Sequence, residues 1–121
     1  MGQVLTVGAI IKCTHGGMCR LSQGNSKLTV SGNAVITSGM ETGISFSGGP
    51  NLIAPCTFST AAGPSPCTAT GPSLPSGVAT KLLVDGMGAL LDGASGQNVN
   101  AQDPLAQWSV VSAGQTLLQA S

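Results

Sequence analysis

Apolar and polar positions along this chain alternate in short bursts, and a helical period is weak almost everywhere. Leu5-Thr6-Val7-Gly8-Ala9-Ile10-Ile11, continuing to Lys12-Cys13, has the β-branched composition of a first strand. Two later stretches share one pattern: Lys27-Leu28-Thr29-Val30-Ser31-Gly32-Asn33-Ala34-Val35-Ile36 and Lys81-Leu82-Leu83-Val84-Asp85-Gly86-Met87-Gly88-Ala89-Leu90-Leu91. Each is a strand, a two-residue turn and a second strand. A two-residue hairpin turn needs positive φ, which glycine reaches without strain, so Asp85-Gly86 and Ser31-Gly32 mark the turns. A weaker third copy of the pattern runs from Trp108 to Leu118, with one extra residue before Gly114. The chain is thus expected to be all-β, a small domain of short hairpins with internal threefold repetition.

Between the hairpins, residues 48–77 hold most of the prolines and read as a long ordered loop or a set of irregular turns. It carries Cys56 and Cys67, which implies order imposed by a crosslink or a metal. Trp108, the one tryptophan, suits either an interface anchor or a core position.

Composition sharpens this picture. With 121 residues the chain is one domain with a modest core. Charged residues are 7 %, against roughly 25 % in an average soluble domain, and glycine fills 18 positions. So neutral a chain is expected to bury surface against a partner. Four Lys/Arg balance four Asp/Glu, which gives no footprint for nucleic acid or an anionic membrane. The start, Met1-Gly2-Gln3-Val4, lacks the basic and apolar regions of an export signal, and no apolar run is long enough to span a bilayer. Its formal match to an acylation pattern has no basic patch beside it, so stable membrane anchoring is not expected.

The soft ligands are Cys13, His15, Cys19, Cys56 and Cys67, and His15 is the single histidine. Cys13-Thr14-His15 has period-two spacing, which on a strand points both side chains to one face. With Cys56 and Cys67 they make four thiolate or imidazole donors, the set that Zn²⁺ takes in closed structural sites. Cys19 is the spare, and could replace either Cys13 or His15. Four cysteines also allow three disulfide pairings, but a chain expected to fold in a reducing cytoplasm favours metal over disulfides or free thiols. No Cys-x₂-Cys pair is present, so zinc-finger and iron–sulfur patterns do not fit. A glycine-rich chain with three aromatic residues has reason to use a metal, because a closed site ties distant segments together.

Val7-Gly8-Ala9-x-x-Lys12-Cys13 followed by Thr14-His15-Gly16-Gly17 resembles the opening of the PAAR and PAAR-like family. Val30-Ser31-Gly32-Asn33-Ala34-Val35 and the segment Lys81 to Leu91 resemble its recurrent hairpins. Cys56, and Cys67 after Pro66, resemble the two cysteines of its branch in extracellular contractile injection systems. The literal Pro-Ala-Ala-Arg, the further histidines and a cysteine after the last large hairpin (Ser95-Gly96-Gln97-Asn98 stands there) are absent. The resemblance implies a cone with His15 in a zinc site near its apex. Its base, which residues 107–121 would complete or strap onto the spike, would cap a trimeric spike of the valine–glycine-repeat type, one tip per trimer, with an effector cargo as an option. Such a chain would assemble in the bacterial cytoplasm into a phage tail-like particle, which is then released or delivered outside the cell. Its work would be mechanical and not enzymatic: the chain has no Gly-x-Ser-x-Gly elbow and no phosphate loop, and Asp85, Asp92 and Asp103 suit turns and caps. The alternative is a small β-rich baseplate or coat module with no piercing role.

Overall fold

The computed structural model describes residues 2–46, 51–61, 63, 64, 67, 69–99, 106–115 and 117–120. The strands are β1 (Gly2–Gln3), β2 (Ile10–Cys13), β3 (Met18–Arg20), β4 (Asn25–Val30), β5 (Asn33–Val35), β6 (Leu52–Ala54) and β7 (Ser59–Thr60). They continue with β8 (Gly63–Pro64), β9 (Ala69–Ser73), β10 (Val78–Val84), β11 (Met87–Leu90), β12 (Ser95–Val99), β13 (Gln107–Ser112) and β14 (Gln119–Ala120). A single 3-10 turn, Pro75–Gly77, interrupts them, and the described residues contain no α-helix. No helix among them is long and apolar enough to cross a membrane.

Six strands form one antiparallel sheet in the order β6-β3-β2-β13-β12-β9. Its centre is β2 against β13, where Cys13 faces Trp108 and Lys12 faces Ser109. Ile11 and Cys13 point inward while Lys12 is exposed, the alternation the sequence pattern dictates. Trp108 is a core residue: it is buried and its indole N–H donates to the Gly71 carbonyl at 2.9 Å. Gly96, its cross-strand partner, makes room for it, since a Cβ there would stand 2.6 Å from the indole nitrogen.

The two expected hairpins form as their turn chemistry requires. Val30 pairs with Asn33 across Ser31-Gly32, and Val84 with Met87 across Asp85-Gly86. All four turn residues have positive φ (52°, 85°, 55° and 79°), the signature of a type I′ turn. The third copy expected over Trp108 to Leu118 does not form. Gln107–Ser112 pairs instead with β2 and β12 inside the sheet, where Trp108 buries its ring. The third ribbon is made by β1 and β14, with Gly2 opposite Ala120 and Gln3 opposite Gln119. The segment 107–121 is therefore divided, its first part in the sheet and its last in a ribbon.

The three ribbons close on one another in cyclic order. Leu5 N–H donates to Leu90 C=O, Leu90 N–H to Ile36 C=O, and Ile36 N–H to Leu5 C=O, each at 2.9 Å. All three side chains are fully buried. Around them Thr6 bridges Val35, Thr37 bridges Ala89, and Val4 bridges Leu91. Two residues further on, Val7 N–H donates to Ala34 C=O, Ser38 to Gly88 and Asp92 to Gln3, at 2.9, 2.8 and 2.8 Å. Each of these hydrogen bonds and bridges thus has two counterparts under one cyclic exchange of segments. Val4, Val30, Val35, Ala79, Val84, Ala89 and Leu91 fill the core that the ribbons share.

A second, larger core joins the ring to the cysteines: Leu5, Ile36 and Leu90 belong to the same buried cluster as Cys13, Cys56 and Cys67. The stretch 48–77 is more regular than its composition suggests, because it supplies both edge strands of the sheet, β6 and β9. Of that stretch, residues 48–50, 62, 65, 66 and 68 lie outside the described residues, as does Asp103.

Candidate metal centre

Three segments bring Cys13, His15, Cys56 and Cys67 together. Cys13 ends β2, Cys56 lies between β6 and β7, and Cys67 between β8 and β9. One donor atom from each of the four lies within 4.8 Å of all the others. His15 Nδ1 is 3.6 Å from Cys56 Sγ and 3.6 Å from Cys67 Sγ, and the two sulfurs are 3.9 Å apart. None of the four cysteines is joined in a disulfide. Four soft donors at these spacings could hold a metal ion.

His15 arrives differently from the strand alternation its spacing suggests. β2 stops at Cys13, and Thr14-His15-Gly16 turn the chain back into β3. Cys13 N–H donates to Gly17 C=O at 2.9 Å, which closes the turn, and Gly16 takes φ 88°. Gly17 N–H then donates to Cys13 Sγ at 3.2 Å, a bond that favours sulfur as thiolate or metal ligand. A Cβ on Gly17 would meet the Cys56 nitrogen at 2.9 Å and Cys13 Sγ at 3.0 Å, so the backbone passes here only because the residue is glycine. Thr57 Oγ1 donates to the His15 carbonyl at 3.1 Å, and the Phe58 ring lies 4.3 Å from the imidazole, tilted by 36°. Together they hold the ring against the sulfurs.

Phe46 organises the other two ligands through its main chain. Its N–H donates to Cys67 C=O at 3.2 Å, and its C=O accepts from Cys56 N–H at 2.9 Å. Its side chain is fully buried, so the strap between the two cysteine segments is anchored in the core. The strap is fixed upstream by Glu41, a fully buried carboxylate that accepts from Gly39 N–H at 2.9 Å and Ser73 N–H at 3.0 Å. Thr70 reinforces it, its hydroxyl donating to the Glu41 carbonyl and accepting from Ile44 N–H at 3.1 Å. Nothing in the sequence pattern marks Phe46 or Glu41, because the backbone partners that give them their roles, Cys56 and Cys67 for the one and Ser73 for the other, lie in other segments. Gly17 was visible as half of a Gly-Gly pair, but its contact with Cys56 is a tertiary fact.

The protein's own groups set the sulfurs apart. Burial raises the Cys13 thiol above its ordinary 9.0, partly opposed by the N–H groups of His15 and Gly17, and the neighbouring Cys56 raises it further. Burial also works to raise Cys56, but the N–H groups of Phe58 and Cys67 and the side chains of Cys13 and His15 outweigh it and bring the thiol down to about 7. Cys19 stands outside the cluster. Burial first, and the nearby Cys13 second, push it up to about 11, and its S–H donates to the Ser45 carbonyl at 3.0 Å. Of the five candidates, then, the geometry assembles four and leaves Cys19 as a protonated core thiol.

Compared with protein-family models, with curated proteins and with solved structures, the chain matches none, so the chemistry of these four side chains carries the functional reading.

Proposed function

We propose that this chain is a non-enzymatic tip, pinned by a structural Zn²⁺ at Cys13, His15, Cys56 and Cys67, that caps the trimeric spike of a contractile injection machine. The observation that carries the reading is the cyclic set of hydrogen bonds through Leu5, Ile36 and Leu90 with its two surrounding sets. One chain that repeats its own contacts three times presents equivalent surfaces to the three chains of a symmetric partner. The exposed apolar residues Leu83 and Met87 on the β10–β11 ribbon, and Leu117 near β14, give the ribbon end surface for a partner to cover. The conical outline and the piercing role come from the family resemblance.

The donor set supports zinc. With bonds of about 2.3 Å to sulfur and about 2.0 Å to nitrogen, a tetrahedral ion separates its sulfurs by about 3.8 Å and sulfur from nitrogen by about 3.5 Å. The spacings of 3.9, 3.6 and 3.6 Å match those edges. Three thiolates and one imidazole form a closed site with no position for substrate, which suits structure and not catalysis. The test is elemental mass spectrometry on protein purified without added metal, with light scattering alone and after mixing with a trimeric β-helical spike. One zinc per chain and one chain per spike trimer is the expected result. A stable homotrimer of the chain that ignores the spike would replace the tip with a self-assembling coat or baseplate module.

A further inference from the structure

We infer that Cys56 and Cys67 form a second, covalent lock at the same place, a disulfide that replaces the metal when the protein meets a low-molecular-weight disulfide oxidant. The inference rests on the metal-centre reading for the first of its two states. Its basis is local geometry. Their sulfurs stand 3.9 Å apart, and a bond needs about 2.05 Å. Both residues lie between short strands, outside any ladder, so closing that gap breaks no strand pairing. Cys13 has no such freedom: it is held in the sheet opposite Trp108, and Gly17 N–H fixes its sulfur. Cys19 is turned to the Ser45 carbonyl.

Exposure sets the order of events. Cys56 is 8 % exposed, whereas Cys67 is 0 % and Cys13 2 % exposed. The Cys56 thiolate attacks one sulfur of the oxidant, breaks its S–S bond and expels a thiolate, leaving a mixed disulfide on Cys56. The Cys67 thiolate then attacks Cys56 Sγ and expels the second thiolate. Two electrons pass from the cysteine pair to the oxidant, and any thiol protons end on the two released thiols. The exchange withdraws two of four donors from a bound cation, which is released. Phe46 N–H and C=O keep both segments in place throughout, so the loop from 56 to 67 stays closed in either state.

The experiment uses the whole chain reconstituted with zinc sulfate and exposed to excess oxidised glutathione without oxygen. A chromophoric chelator follows the metal, and peptide mapping after thiol alkylation locates the bonds. The expected result is one zinc released per cross-link formed, Cys56 joined to Cys67 in the major product, and Cys19 alkylated only after denaturation. Zinc release without that bond, a major bond through Cys13, or no reaction at all overturns the inference. Metal content before oxidation tests the metal reading separately. If the chain takes up no zinc, that reading fails, and the map of bonds in the same protein still decides for or against the disulfide.

Discussion

Around the cysteines and around the three-ribbon ring, the same chain is held by two different kinds of interaction. The ribbon end is made of Val, Leu and Ala on short antiparallel pairs, closed by hydrogen bonds between backbone groups. The bonds of its closing ring recur in three segments, so no single one of them sets the arrangement alone. The cysteine end has strands of two or three residues on its loop side, β6, β7 and β8, although the core behind them, with Trp108, Ile11, Leu21 and Phe46, is the larger of the two. Strands so short cannot hold a register by pairing alone. Among the described residues, the loop side of the cysteine end lacks the cyclic bonds that close even the two-residue β1–β14 ribbon onto its neighbours, and there the chain gathers four soft donors.

The difference is tested most severely by removing one ligand. Cys67→Ser is expected to abolish metal binding and to destabilise the chain by about 4 kcal/mol or more. Hydrogen exchange should then quicken across residues 51–73 before it does in the hairpin strands at 28–36 and 82–91. Uniform loss of protection across both regions would mean that they are one cooperative unit and that the contrast drawn above is wrong.

A milder probe leaves every ligand in place. Gly17→Ala puts a Cβ 2.9 Å from the Cys56 nitrogen and 3.0 Å from Cys13 Sγ. Neither neighbour is the free end of a flexible side chain, so the segment must shift. We expect a cost of about 2 kcal/mol and metal affinity lowered roughly 10–100-fold. Calorimetric titration of the metal-free chain checks it. Unchanged affinity would show that Gly17 merely fills a turn.

At the ribbon end the changes are smaller and should come in matched sets. Gly32→Ala and Gly86→Ala each force a Cβ into positive φ, at 85° and 79°, and should each cost about 1–2 kcal/mol in thermal unfolding without loss of metal. Unequal costs would break the equivalence of the two hairpins. The third ribbon allows a complementary test. A circular permutant that joins Ala120 to Gly2 through a two-residue turn and opens the chain between Ser31 and Gly32 should stay within about 1 kcal/mol of the parent.

That third ribbon also shows where the sequence falls silent. The Ser31-Gly32 and Asp85-Gly86 hairpins were legible because the turn is a local event and only certain residues tolerate positive φ. β1 and β14 pair across nearly the whole chain with no turn between them, so no local signal marks them, and Trp108 to Leu118 offered a false one. The cluster of Cys13, His15, Cys56 and Cys67 was legible for a different reason: a single histidine and four cysteines leave few combinations. What excludes Cys19 is a hydrogen bond to Ser45 in another segment, which spacing does not encode. Residues 48–77 were mistaken for loop because Pro and Gly weaken a strand pattern without forbidding edge strands, where one side of the ladder needs no donors.

The smallest expected effect lies at the tip of the β10–β11 hairpin. The Asp85 carboxylate accepts from Asn25 Nδ2 at 2.8 Å and meets Lys27 Nζ at 2.7 Å, which ties that hairpin to β4. The Asn25 hydrogen bond, and after it the hydrogen bond from Lys27, lower the Asp85 carboxyl below its ordinary value. The tie is therefore present above the usual carboxylate range and lost as pH falls through the lowered value. Asp85→Asn removes the charge and keeps a residue that accepts φ 55°, separating the ion pair from the turn. In this fully solvated position the loss should be barely measurable by thermal unfolding and absent in high salt. A loss as large as that from Gly86→Ala, persisting in high salt, would mean that the ribbons depend on this surface clamp and are not held by their shared core and closed ring.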